Sequence, residues 1–249
     1  MAGQWLLLGL AGFGAGLLNA VAGGGTFLTL PALIHAGVAP VAANATATLV
    51  ALPGYLGSAW GFRRDMRAEG ALGLRVIMAI AALGGVIGGL LLVVTPGDTF
   101  MWIVPWLMLL ATVLFAAGPG LVARLRRRGA SPGRFASAAV LLAVSVYGGY
   151  FNGGLGILLL AAFGLLGHAD LHAMNGLKNL LSAVLSVISA ATFVAAGLIV
   201  WPEGLFMAAL ATLGGYAGAR LSRRIRRTGP LRGFITLVGG LMTLAFFLR

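Results

Sequence analysis

The sequence predicts an all-α polytopic membrane protein built as two inverted repeats, with about eight full spans and two short helices that are broken or re-entrant. Three observations lead to that fold. First, 60% of the 249 residues are hydrophobic and 9% charged, with a mean hydropathy of +1.02, and no soluble surface can be made from such a composition. Second, a glycine-rich interruption near the start of the chain recurs after its midpoint. Third, the arginines gather in short clusters between alternate apolar runs, the positive-inside pattern of a multi-pass protein. Topology thus accounts for the net charge of +12, and the expected surroundings are a lipid bilayer rather than nucleic acid.

The first apolar run, residues 4 to 22, closes on Asn19-Ala-Val-Ala-Gly-Gly-Gly-Thr26. Glycine costs about 1 kcal/mol relative to alanine in a helix interior, and it frees backbone groups that lipid cannot satisfy. Such a break is stable only beside protein or a water-filled cavity, so Asn19, Gly24, Gly25 and Thr26 are expected to face a solute. Residues 5 to 18 also resemble the apolar core of a signal peptide, with Ala20-Val-Ala22 as a cleavage site. A membrane helix is expected instead, because no basic side chain precedes the run and the same segment recurs mid-chain. A short run, residues 26 to 37, follows the break. Residues 41 to 62, 71 to 94 and 100 to 118 are each long enough to cross about 30 Å of hydrocarbon.

Residues 119 to 134, with Pro119, Gly120, Gly129 and Pro132 among the arginines, are expected to be a cytoplasmic basic linker between a first repeat, 1–118, and a second, 135–249. The second repeat opens with the run 135 to 153, interrupted at Gly148-Gly-Tyr-Phe-Asn152-Gly-Gly-Leu-Gly156. A short run, 154 to 167, comes next, followed by spans at 180 to 201, 204 to 219 and 233 to 248. Asn19 matches Asn152, Asn44 matches Asn175, Thr48 falls opposite Asn179, and Gly84, Gly85 and Gly88 match Gly214, Gly215 and Gly218. The offset drifts only from 133 to 130 residues, as two structural repeats require. Close helix packing is the first reading of the last set.

Arg63, Arg64 and Arg67, the arginines from Arg124 to Arg134, and those from Arg220 to Arg232 place three loops in the cytoplasm. Residues 95 to 99 and 201 to 204 carry one acid each and no base, and are expected outside. The loop before the Gly-Gly-x-x-Gly helix is basic in the first repeat and the loop after it is not; in the second repeat this is reversed, so the repeats are inverted. Each half then has an odd number of crossings, five if the short segment crosses and three if it re-enters. Both termini lie outside in either case.

Lys178 is the only lysine and lies in Asn175-Gly-Leu-Lys-Asn179, at the predicted start of an apolar helix. Asn175, Lys178, Asn179 and Ser182 recur at helical spacings of three and four, on one face. A cation and two amides in a membrane segment suggest an anion site; the alternative is a lysine that snorkels to the interface. The first-repeat counterpart, Asn44 with Thr48, offers an amide and hydroxyls for either a solute or interhelical hydrogen bonds. Helix N-termini after the two glycine breaks, near Thr26 and Ile157, would aim free amides and positive dipole ends at an anion, with Gly154 at the turn of the second.

Zero cysteines remove disulfides and thiolate chemistry. Neither a metal site nor a cofactor is expected. His35, His168 and His172 sit close to predicted interfaces, where a solvated histidine is the usual outcome. The five acids lie in or next to loops, which argues against a cation exchanger and leaves any coupling proton or cation without an assigned residue. No Gly-x-Ser-x-Gly, no metal-ligand pair and no intramembrane carboxylate points to a membrane enzyme.

The chain resembles the TauE/SafE family, also called the toluene sulfonate uptake permease family of sulfite and organosulfonate transporters, over nearly its whole length. The residues that carry the resemblance are Gly16-Leu-Leu-Asn19 with Gly23-Gly-Gly-Thr-Phe-Leu-Thr-Leu-Pro31, Ala43-Asn-Ala-Thr-Ala-Thr48, Asn175-Gly-Leu-Lys178 with Asn179, and Leu213-Gly-Gly-Tyr-Ala-Gly-Ala-Arg220. Family members often repeat the glycine-proline element in the second half, where this chain has Gly153-Gly-Leu-Gly-Ile-Leu-Leu-Leu-Ala161 without proline. The resemblance implies transport of small sulfur-containing or carboxylate anions across a bacterial inner membrane. The residues and the resemblance together lead to a secondary transporter that moves such an anion by alternating access. An anion channel, or a carrier of a small carboxylate, is the alternative. The oligomeric state is left open.

Overall fold

The computed structural model describes residues 2–21, 24–61, 63–64, 67–68, 70–127, 133–168, 170–222 and 229–248. Gly23, Gly129, Pro132 and the arginines at 223–228, on which parts of the sequence reading rest, lie outside the described residues. Within them are ten α-helices and no strand: α1 Ala2–Val21, α2 Thr26–His35, α3 Pro40–Gly61, α4 Leu74–Val94, α5 Gly97–Arg127, α6 Arg134–Tyr150, α7 Leu155–Leu165, α8 Leu171–Ala195, α9 Trp201–Ser222 and α10 Gly229–Phe247. Three of them hold stretches long and apolar enough to cross a membrane unaided: α4, the Gly97–Gly118 part of α5, and Ala173–Ala195 of α8. The two short helices, α2 and α7, stand where the glycine breaks put them.

Each short helix folds back along its predecessor. Gln4 Nε2, at the start of α1, donates to the Ala36 carbonyl just past α2 at 2.8 Å, so α1 and α2 form a hairpin with both ends on one side. In the second half, Tyr147 OH donates to the Gly153 carbonyl at 2.7 Å and closes the turn between α6 and α7. Both short helices end alike. Val38 N donates to Leu33 O, and His168 N to Phe163 O, each at 3.0 Å, the wide closing bond of a glycine-terminated helix. The end of α7 rests on the loop between α3 and α4: the Leu166 carbonyl lies against Gly70, and Arg67 pairs with Asp170.

The longer helices pack in two intimate pairs, α1 with α9 and α4 with α6, while α3 and α8 cross between them. Glycine makes those pairs possible. A Cβ on Gly12 would stand 2.8 Å from the Met207 carbonyl, and one on Gly149 would stand 2.8 Å from the Gly85 carbonyl. The glycines of α4 divide their work: Gly84 and Gly88 meet the backbone of α6, whereas Gly85 and Gly89 receive Leu185, Ile188 and Thr192 of α8. The packing expected of these residues is what the structure contains.

Two boundaries differ from the sequence reading. The span placed at 180–201 is α8, which begins at Leu171 and ends in a turn at Gly197. Lys178 therefore lies two turns inside the helix rather than at its start. Of the polar residues before it, Asp170 pairs with Arg67 of the α3–α4 loop and Asn175 accepts from Lys178 itself. The linker placed at 119–134 is helical as far as Arg127, because α5 continues past its apolar part into an arginine-rich end.

Candidate functional site

The two glycine breaks meet. A small cavity of about 20 Å³ is lined by Asn19 and Gly24 of the first break, Asn152, Gly154, Leu155, Gly156 and Ile157 of the second, Tyr55 of α3, and Lys178 and Asn179 of α8. Both tips turn on a glycine in the left-handed region, Gly24 with φ +93° and Gly154 with φ +71°, a conformation that other residues enter only at a cost. Six of the predicted site residues thus come together: Asn19, Gly24, Asn152, Gly154, Lys178 and Asn179.

The two tip asparagines hold the hairpins in shape. Asn19 Oδ1 accepts a hydrogen bond from Gly25 N at 2.8 Å and so closes the first tip on itself. Gly25 is consequently not a free amide for a solute, contrary to the sequence reading, and Thr26 is buried in the first turn of α2 outside the cavity lining. Asn152 is buried with both ends engaged: Oδ1 accepts from Tyr55 OH at 3.1 Å and Nδ2 donates to Ser186 Oγ at 3.1 Å.

Charge comes from α8. Lys178 Nζ donates to Asn175 Oδ1 at 3.3 Å, which leaves ammonium protons for a second partner. Asn175 therefore orients the lysine rather than lining the cavity. Among the described residues no carboxylate pairs with Lys178. Gly156, in the first turn of α7, accommodates its stem; a Cβ there would be 3.4 Å from Lys178 Cδ. The N-terminus of α7 has no side-chain cap, so its positive dipole end and the lysine face the same small space. Two positive features without a carboxylate make that space suited to an anion.

Asn44 and Thr48 are placed elsewhere. Asn44 is fully buried and donates through Nδ2 to the Tyr150 carbonyl at 2.8 Å, and Thr48 Oγ1 donates back to the Asn44 carbonyl at 3.0 Å. Asn44 ties α3 to the end of α6, the interhelical alternative considered above, while the Thr48 bond stays within α3. Sequence reasoning missed Tyr55, although it lies seven residues beyond Thr48 on the same face of α3 and continues that polar stripe. It missed Ser186 as well, one turn beyond Ser182 on α8.

A much larger groove of about 530 Å³ runs between α1, α2 and α10, lined by residues such as Leu7, Leu10, Phe27, Pro31, Met242 and Phe246. Its walls are apolar apart from His35 at one edge, so it offers little to a small anion.

Residues 8–246 match the sequence model of the family described as sulfite exporter TauE/SafE. A Haemophilus influenzae protein named "Probable membrane transporter protein" is 32% identical over 244 residues, 95% of this chain and 92% of its own length. The Escherichia coli K12 protein named "Probable membrane transporter protein YfcA" is 30% identical over 244 residues, covering 96% and 88% of the two chains. A Sinorhizobium protein named "Probable membrane transporter protein ORF9" is 30% identical over 222 residues, covering 86% and 80%. No solved structure matches.

Proposed function

The chain belongs to the sulfite exporter TauE/SafE family of membrane transporters, and from that premise we propose that it is a secondary transporter that moves a small anion, sulfite or an organosulfonate, by alternating access. One observation carries the proposal: Lys178, without a carboxylate partner among the described residues, lines a cavity where two broken hairpins meet. Broken helices converging near the midplane are a recurring way for carriers to bind ions. A cavity with room for about one water molecule favours an occluded carrier over an open anion channel on the same scaffold. A small carboxylate is the alternative cargo, since the same donors serve it.

The inverted-repeat reading draws support from how the helices pair. Exchanging α1–α5 for α6–α10 turns the α1–α9 contact into α6–α4, α3–α9 into α8–α4, and α1–α2 into α6–α7, and each of these contacts exists. In the topology we propose, α1–α2 and α6–α7 are re-entrant hairpins dipping from opposite faces, each half crosses three more times, and both termini lie outside a bacterial inner membrane. Residues 1–118 and 135–249 are the repeats, and the basic end of α5 begins the linker between them.

Two experiments test this reading. The chain contains no cysteine, so Ala71→Cys in the α3–α4 loop and Thr99→Cys at the start of α5 can be introduced without background. In intact cells, an impermeant maleimide is expected to label Thr99→Cys and spare Ala71→Cys; the opposite result inverts the topology. In proteoliposomes, radiolabelled sulfite, taurine and sulfoacetate are offered with and without a proton gradient. Saturable uptake of at least one is expected, with the gradient reporting whether protons couple to it. Ohmic conductance without saturation would replace the carrier by a channel.

A further inference from the structure

The sequence pattern assigned the site to asparagines, glycines, two threonines and one lysine, and it left the cavity's aromatic wall without a role. That wall is Tyr55, whose hydroxyl hydrogen is given to Asn152 Oδ1 at 3.1 Å inside the cavity that Lys178 lines. Asn152 is held independently at its other end by Ser186, so losing the tyrosine bond does not set the amide adrift. We propose that Tyr55 is a substrate-binding residue: the phenolic hydroxyl turns from the neutral Asn152 carbonyl to an oxygen of the entering anion, opposite the Lys178 ammonium.

The reason is the number of donors. An oxyanion taken out of water needs hydrogen bonds on several oxygens, not one counter-charge alone. Asn175 already takes one proton of Lys178, Gly25 N is given to Asn19, and Asn152 Nδ2 is given to Ser186. Tyr55 OH is a side-chain donor that already points into the cavity and has an acceptor weaker than any anion. Its exchange also has a structural consequence. The Tyr55–Asn152 bond joins α3 to the tip of the α6–α7 hairpin, so transferring the hydrogen to the substrate loosens the first repeat's hold on the second repeat's tip.

This inference rests on the anion-carrier reading, and its test separates the two. Wild type, Tyr55→Phe and Ser186→Ala are reconstituted side by side, with sodium sulfite and sodium methanesulfonate as probes of uptake and of equilibrium binding. Tyr55→Phe keeps the ring and its packing, and melting in detergent checks the fold. Loss of one charge-assisted hydrogen bond is expected to weaken binding and raise KM by about ten- to a hundredfold. Ser186→Ala, which unties only the far end of Asn152, is expected to move them less. If wild type carries neither of these anions saturably, nor taurine, sulfoacetate or acetate beside them, the carrier reading falls and takes this assignment with it. Should wild type transport while Tyr55→Phe keeps its KM and affinity, the tyrosine is not a ligand and the carrier reading stands. Equal losses in Tyr55→Phe and Ser186→Ala would make Tyr55 a support for Asn152, which also overturns the assignment. A Tyr55→Phe protein that fails to fold gives way to Tyr55→His, whose ring N–H keeps a donor at the wall; wild-type affinity there supports the role, and lost affinity in a folded protein refutes it.

Discussion

Lys178→Ala is expected to abolish saturable anion uptake and binding in a protein that still folds. Solvation sets the requirement: an anion that enters a cavity of about 20 Å³ must open it further and shed most of its water. In the low dielectric of a membrane protein, that is favourable only against a fixed positive charge. The α7 dipole is worth a fraction of an elementary charge, whereas Lys178 supplies a whole one. Removing one partner of a buried charged pair costs about 3–5 kcal/mol, so affinity is expected to fall upward of about a hundredfold. Lys178→Met is the companion variant, because it keeps the apolar stem that rests on Gly156 and discards only the charge. Lys178→Arg is expected to recover little, since the bulkier planar guanidinium would have to enter a cavity of about 20 Å³. Isothermal titration with sodium sulfite in detergent, beside proteoliposome flux, reads all three. Wild-type affinity in Lys178→Met would take the lysine out of the site.

Much of this site was legible because breaking a membrane helix is expensive and the chain does it twice. Polar amides next to glycines inside apolar runs mark where backbone is freed, and the matched spacing of Asn19 with Asn152 indicates that two such places belong together. The lone lysine stood out for the same reason. Two things were not legible. An asparagine amide can hold its own hairpin or a solute with the same atoms, and only the folded geometry reveals that Asn19 Oδ1 accepts from Gly25 N. Tyr55 was hidden because a tyrosine near a predicted cytoplasmic helix end, after Pro53 and Gly54, reads as an interface anchor. The start of α8 was missed for a related reason. Asp170, just before the helix, looks like loop when its partner, Arg67, is about a hundred residues away in sequence.

Gly16→Ala and Gly88→Ala are expected to be more damaging than alanine at almost any other glycine, although alanine is the better helix former by about 1 kcal/mol. Neither glycine is a hinge: both lie in the middle of regular helices, Gly16 in α1 and Gly88 in α4. What each lacks is room. A Cβ on Gly16 would overlap the Ala211 carbonyl of α9, and one on Gly88 would overlap the Val146 carbonyl and stand 2.6 Å from Tyr150 N of α6. Side-chain crowding in a core costs about 1–3 kcal/mol because rotamers yield; here the obstacle is backbone, so whole helices must part. Their separation also strips contacts along the interface, since TM helices associate through close packing rather than a hydrophobic drive. A loss above about 3 kcal/mol is expected at each position, a large share of typical folding stability. Gly57 and Gly240, which have nothing within 4 Å of a built Cβ, serve as the contrast: Gly57→Ala and Gly240→Ala are expected to hold or raise the melting temperature. Thermal unfolding in one detergent, followed by size exclusion, compares all four. The helix pairs exchange under the pairing of the halves although these two glycines do not, so losses of the same order at Gly16 and Gly88 are expected if α1–α9 and α4–α6 are equivalent, and a large loss at only one would set them apart.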